Sequence, residues 1–239
     1  MNILGLQHVN VEHPGYFLKL LREDGHSYHG VELDAGETIP PLDNYDGLWV
    51  MGGAMDVWEE EKFPWLVREK QFIKEAVIDF GIPYLGVCLG HQLLAEALGG
   101  SVGPAETPEI GVLEVQLTEA GAQGVFFDGL PEQFKCLQWH SSEVIGLPSD
   151  AEVLASSADC TVQALKWGTR AYSVQFHLEV EQDTVENWAK ISAYSDVLES
   201  VMGKGGVEAL SSNCKKQISD FNNNAERVYL NWMQTSAHT

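Results

Sequence analysis

Positive charge is scarce in this chain. Its 239 residues carry 14 Lys and Arg against 35 Asp and Glu, a formal net charge of −21. Such a surface repels phosphate backbones and anionic bilayers alike, so neither nucleic acid nor a membrane is expected as a partner. Cysteine is also sparse: Cys88, Cys136, Cys160 and Cys214 show no CxxC pairing and nothing like the density of a disulfide scaffold, which points to a reducing compartment. No HxxxH motif or Cys/His cluster offers metal-ligand spacing, so no metal and no cofactor is expected. A phosphate-cradling GxxxxGK[ST] loop is missing as well, which argues against an ATP-binding domain in the chain. No apolar run reaches membrane-spanning length, and "MNILGLQHVN" lacks the basic segment and long apolar core of a leader; the expected location is the cytoplasm. Repeats and low-complexity tracts are absent, and 44% of residues are hydrophobic, which suits a chain that buries one sizeable core.

What is present is an alternation of short apolar runs with helical periodicity over the first 100 residues, the pattern of a mainly parallel sheet covered on both faces. Strands are expected at 3–9, 27–33, 47–51 and 83–87. One helix follows Pro14, with Phe17, Leu18 and Leu21 on one face; another follows Pro64, with Leu66, Phe72, Ile73 and Val77. From Ser101 the rhythm turns β-rich, with strands expected at 112–117, 134–138, 152–155, 161–167 and 171–176 as an antiparallel extension or as return strands. Helical periodicity returns after Glu181 through Trp188, Ile191 and Tyr194, then through Ile218, Phe221, Val228 and Leu230. "GKGG" at 203–206 marks a break before the last helix. The expected division is 1–195 for the main domain, with 196–239 as a helical extension packed on it.

The strand "PYLGVC" runs straight into the helix "GHQLLAEALGG", placing Cys88 at the carboxyl end of a parallel strand, where open α/β sheets build their sites. An arbitrary buried cysteine is a small core hydrophobe. Here Gly86 and Gly90 flank it, and small neighbours let a nucleophile elbow turn sharply while first-turn amides stabilise a thiolate or an oxyanion. A thiol attacking an amide needs a base with an orienting group. "YSVQFHLEV" supplies both, because in extended chain His177 and Glu179 project to one face.

"GVCLGHQ" resembles the G-x-C-x-G-x-Q elbow of class I glutamine amidotransferases, and "QFHLE" resembles their Q-F-H-P-E segment, with Leu178 in place of the proline. "LWVMGGAMDVWEE" is similar to the family's oxyanion strand, with Ala54 where many relatives have proline. That resemblance implies Gly53 and Leu89 as backbone donors. "CLQWHSSEV" resembles the segment that holds the α-amino and α-carboxylate groups of glutamine; it implies Trp139, Ser141 and Ser142 as lining residues, with Gln92 reaching the substrate from the elbow helix and His140 standing behind them. The likeness covers roughly residues 40–182 and implies a flavodoxin-like α/β fold, an open and mainly parallel sheet flanked by helices, with a small antiparallel β extension and C-terminal helices.

The activity so implied is hydrolysis of the glutamine side-chain amide through a γ-glutamyl thioester on Cys88, releasing ammonia to a separate synthase subunit. Two alternatives stay open: a free-standing γ-glutamyl hydrolase acting on γ-glutamyl amines or peptides, and a catalytically idle interaction module. The charged stretch 56–70 reads better as a loop capping a helix than as part of the site entrance. His8 and His13, near the end of the first strand, read more simply as structural than as functional.

Overall fold

The computed structural model describes residues 1–236. Among them, nine strands form one sheet in the order β2-β1-β3-β4-β9-β8-β7-β5-β6. Strands β1 (Asn2–Gln7), β2 (Ser27–Glu32), β3 (Gly47–Val50), β4 (Tyr84–Val87) and β9 (Ala171–Val174) are parallel. β8 (Ala164–Trp167), β7 (Ala151–Ser156), β5 (Ser101–Leu117) and β6 (Gln133–Gly146) continue the sheet antiparallel.

The central parallel strands are buried on both faces, which is why they read as continuous apolar runs. Alternate residues serve opposite cores: Ile3, Trp49, Leu85 and Val87 face α1 (Gly15–Glu23) and the C-terminal helix, whereas Leu4, Leu48, Val50 and Tyr84 face α2 (Trp65–Lys74) and α3 (Leu89–Ala97). On α1 the buried residues are Phe17, Leu20 and Leu21, and Leu18 is half-buried at the edge of the same cluster. α2 runs on into a π-helical turn, Glu75–Asp79, that buries Val77.

The antiparallel part is larger than the sequence suggests. The expected strands 112–117 and 134–138 are portions of β5 and β6, which run to 17 and 14 residues. Pro104 and Pro108 obscured the first half of β5. They sit where the register slips, four residues of β5 between Pro104 and Glu109 standing against Ser141 alone, and a proline is tolerated at such a bulge because no ladder donor is needed there. A short helix α4 (Glu119–Gln123) connects β5 towards β6.

After β9 come α5 (Thr184–Trp188), α6 (Ser192–Met202) and α7 (Gly206–Ser236). The glycine break lies where expected: Gly203 and Gly205 adopt φ of 72° and 84°, free for glycine and strained for other residues. The expected boundary after residue 195 falls inside α6, and residues 237–239 of the expected extension lie outside the described residues. α7 is anchored by Trp232, which is fully buried, stacks edge-on against Trp49 at 5.6 Å and donates from Nε1 to the Tyr84 carbonyl at 3.0 Å. Leu230, expected on the apolar face, is instead 45% exposed. No helix of the described residues is long and apolar enough to cross a membrane.

His91 on α3 is fully buried with Ser173 Oγ 2.9 Å from Nδ1, and burial drives its pKa down to about 3. An unfolded histidine titrates near ~6.5, so between those values the unfolded chain binds a proton that the folded one refuses, and stability falls as pH falls. His91→Leu is expected to gain in melting temperature relative to wild type as pH drops from 7 to 4. A constant difference across that range would rule out His91 as the cause.

Candidate functional site

Cys88 caps α3 with φ 53° and ψ −104°, one of two positive-φ non-glycine residues among those described. Such a conformation costs roughly 1–3 kcal/mol and persists only where its surroundings impose it. Here the Cys88 N–H donates to the Val174 carbonyl at 2.9 Å and the Gly90 N–H to that of Met51 at 3.2 Å, while Tyr84 Oη donates to the Gly90 carbonyl at 2.7 Å. The two glycines are sterically required. A Cβ on Gly90 would lie 2.0 Å from the Val50 carbonyl oxygen, and one on Gly86 would lie 2.6 Å from that of Gly90.

Beyond the end of β9, His177 exchanges main-chain hydrogen bonds with Leu137 of β6 at 2.8 and 3.3 Å. This brings its ring close enough to Cys88 for the two groups to shift each other's protonation, and Gln175 Nε2 approaches the Cys88 sulfur at 3.6 Å. Glu179 Oε1 lies 2.6 Å from His177 Nδ1, leaving Nε2 for the thiol. The Glu179 main chain is pinned in turn, since its carbonyl accepts from the Tyr16 N–H at 2.7 Å. Leu178, the departure from the family's proline, packs its buried side chain into the main core. The Trp188 ring meets the His177 ring edge to face at 4.6 Å.

Burial pushes the Cys88 thiol pKa up, and His177 pulls it the other way. Burial also disfavours a charged His177, but the Glu179 carboxylate first and Cys88 second outweigh it and lift the ring well above its ordinary value. The imidazole is therefore a strengthened base placed on a thiol.

The predicted residues other than His177 and Glu179 line one cavity of about 230 Å³: Gly53, Cys88, Leu89, Gln92, Trp139, His140, Ser141 and Ser142, with His177 and Glu179 behind Cys88. Neither the Gly53 nor the Leu89 amide has a protein acceptor among the described residues. Gln92 is turned towards the protein: its Nε2 donates to the Ser142 carbonyl and to Gln175 Oε1, both at 3.0 Å. His140 is held between the Ser142 carbonyl and Glu109 Oε2, at 3.0 and 3.1 Å.

Three residues at the site were not singled out from sequence. Asp56, in the stretch read as a helix-capping loop, lines the cavity and accepts from Ser142 Oγ at 2.6 Å. Tyr194 of α6 also lines it, and its hydroxyl donates to Glu12, a buried carboxyl whose pKa burial raises, with His177 and Tyr194 acting in the opposite sense. Only one sequence signal pointed at Glu12, its place just past the carboxyl end of a parallel strand. His13 is exposed and accepts from the Gly15 N–H at 3.1 Å, a helix-start role. His8 is buried against Gly52 and Glu69.

The profile of the family "Glutamine amidotransferase class-I" matches residues 17–188. The chain is 34% identical over 165 residues to a glutamine-hydrolysing GMP synthase of Aeropyrum pernix, covering 66% of this chain but only 30% of that one. It is 31% identical over 189 residues to the glutamine amidotransferase-like protein YfeJ of Salmonella typhimurium, covering 78% and 79% of the two chains. Among solved structures, a glutamine amidotransferase of Thermotoga maritima superposes with a TM-score of 0.86 at 30% identity, over 100% of this chain and 99% of that one.

The elbow's steric demand is testable. Gly90→Ala must displace the β3 backbone, and overpacking of this kind costs about 1–3 kcal/mol. The expected result is a lower melting temperature together with slower alkylation of Cys88 by iodoacetamide; a variant matching wild type in both would show that the turn tolerates a side chain.

Proposed function

The chain belongs to the class I glutamine amidotransferases, and from that premise we propose that it hydrolyses the side-chain amide of glutamine through a γ-glutamyl thioester on Cys88. The observation that carries this reading is a cavity lined by Cys88 and by two residues with unpaired main-chain amides, Gly53 and Leu89, with His177 against the thiol and Glu179 on the far side of the ring. His177 Nε2 takes the thiol proton, and the sulfur attacks the γ-carbonyl carbon. The negative charge that forms on the carbonyl oxygen is received by the Gly53 and Leu89 N–H groups. The C–N bond then breaks, and ammonia leaves with the proton held on His177. Water, deprotonated by the same ring, attacks the thioester; the proton returns to sulfur as glutamate is released. Glu179 keeps Nδ1 protonated and Nε2 directed at sulfur throughout, stabilising the imidazolium.

Trp139, Ser141 and Ser142 form the wall that receives the amino-acid end of the substrate, and Gln92 holds that wall in place through the Ser142 carbonyl. The ammonia is passed to a separate synthase subunit, a reading supported by the Aeropyrum relative, whose name joins glutamine hydrolysis to GMP synthesis in a chain of which this one spans under a third.

Cys88→Ala is expected to abolish release of ammonia and glutamate from glutamine. Glu179→Gln should lower kcat by roughly two to four orders of magnitude with KM little changed, as happens when the group orienting a catalytic histidine is neutralised. Turnover by Cys88→Ala at the wild-type rate would remove the thioester from the reaction. Running the assay in parallel on glutamine and on a γ-glutamyl amine tests the substrate: a kcat/KM at least tenfold higher for the amine would replace the ammonia-delivering reading with a γ-glutamyl hydrolase.

A further inference from the structure

Two buried groups beside the site take no part in the chemistry above. His8, at the carboxyl end of β1, is 1% exposed, and Glu69 of α2 is fully buried. His8 Nε2 lies 2.8 Å from Glu69 Oε1, and Nδ1 lies 2.9 Å from the Gly52 carbonyl oxygen. A carbonyl and a carboxylate are both acceptors, and an imidazolium, donating from both nitrogens, meets both. Burial opposes that charge, but Glu69 and then the Gly52 carbonyl outweigh it and raise the His8 pKa.

The Gly52 carbonyl and the Gly53 N–H belong to a single planar peptide and point in opposite directions. Whatever grips the oxygen therefore aims the hydrogen. The plane is also wedged from the side: a Cβ on Gly52 would lie 1.8 Å from Glu12 Oε2, and one on Gly53 would lie 2.7 Å from both Leu89 Cδ2 and Met55 Sδ and 2.9 Å from His8 Cβ. Two glycines admit many orientations, and among the described residues only the His8 contact holds the oxygen end by a hydrogen bond. A cationic donor on that oxygen draws electron density through the amide and makes the N–H a stronger donor.

We propose that the buried His8–Glu69 pair is a positioning device for oxyanion binding: it fixes and polarises the Gly52–Gly53 peptide so that the Gly53 N–H faces the oxygen on which charge develops. The inference rests on the reading of Gly53 as an oxyanion donor. Its effect falls on kcat, because the charge it serves appears only after the sulfur has attacked. Alkylation of Cys88, which passes through no oxyanion, is unaffected.

Two near-isosteric variants separate the contacts. The amide nitrogen of His8→Asn falls near the place of Nδ1 and keeps a donor on the Gly52 carbonyl, whereas that of His8→Gln falls near Nε2 and keeps only the Glu69 contact. Both are neutral, and each leaves one partner unmet: the buried Glu69 carboxyl in His8→Asn, the costlier loss to stability, and the Gly52 carbonyl in His8→Gln. The expected result is a kcat for glutamine within about fivefold of wild type for His8→Asn and roughly 10- to 100-fold lower for His8→Gln, a loss comparable to weakening one oxyanion donor. KM and the iodoacetamide rate should stay within about twofold of wild type in both, as expected for an interaction made only in the transition state. Equal kcat for the two variants overturns the inference. If His8→Gln does not fold, Glu69→Gln removes the charge that orients the ring, and an unchanged kcat there overturns it equally. A wild-type protein that releases nothing from glutamine or from a γ-glutamyl anilide defeats the amide-hydrolase reading and this inference together; an active wild type with indistinguishable His8 variants defeats the inference alone.

Discussion

The turn at Cys88 is the constraint on which the remaining geometry depends. A residue with a side chain is held at φ 53° because its neighbours on both sides leave no alternative: β4 is locked between β3 and β9, and α3 presses so closely on β3 that Gly90 has no room for a methyl group. The strain of about 1–3 kcal/mol is offset by the packing that enforces it. In return Cys88 reaches the cavity, with Leu89 of the first helical turn beside it. The carboxyl ends of four adjacent strands, β1, β3, β4 and β9, then deliver His8, the glycine pair, Cys88 and His177 to one edge of the sheet.

Much of this was legible because the signals were local. The apolar runs of β1, β3 and β4 announced strands buried on two faces, and the glycines around Cys88 announced a cramped turn. The spacing of His177 and Glu179 anticipated their contact, although both lie past the end of β9 in a segment tied down by the bridge to Leu137 and by the Tyr16 N–H on the Glu179 carbonyl. What escaped was set by distance along the chain. Tyr194 and Glu12 meet across 182 positions and His8 and Glu69 across 61, and neither pair has a periodicity to reveal it. On α2, Glu69 occupies a buried position of an otherwise apolar face, where a pattern reading expects carboxylates to point outward. The long β5 was shortened on paper by its own prolines, which mark a bulge there and not a strand end.

Behind the cavity wall lies a buried polar network joining the two halves of the sheet. Gln92 of the elbow helix grips the Ser142 carbonyl, which also faces His140; Glu109 holds His140 and accepts from Gln163, which in turn accepts from Gln138 at 2.8 Å. Most of its donors and acceptors are met, and such a network rigidifies what it connects. It fixes the distance between the parallel strands that carry the candidate nucleophile and the antiparallel strands that carry the wall for the amino-acid end. The bulge in β5 has its place here, since the extra residues let Glu109 return to the ladder opposite His140.

Trp232 has a bearing on how such a molecule is made. Its indole fills the space beneath β3 and β4 against Trp49 and Ile3, residues synthesised near the start of the chain. The part of that face not covered by α1 thus stays open until residue 232 has been made, long after the elbow and its partners have been translated. Closing that apolar surface is a late, long-range step that waits on α7, and a surface left open in this way is the kind that aggregates during folding.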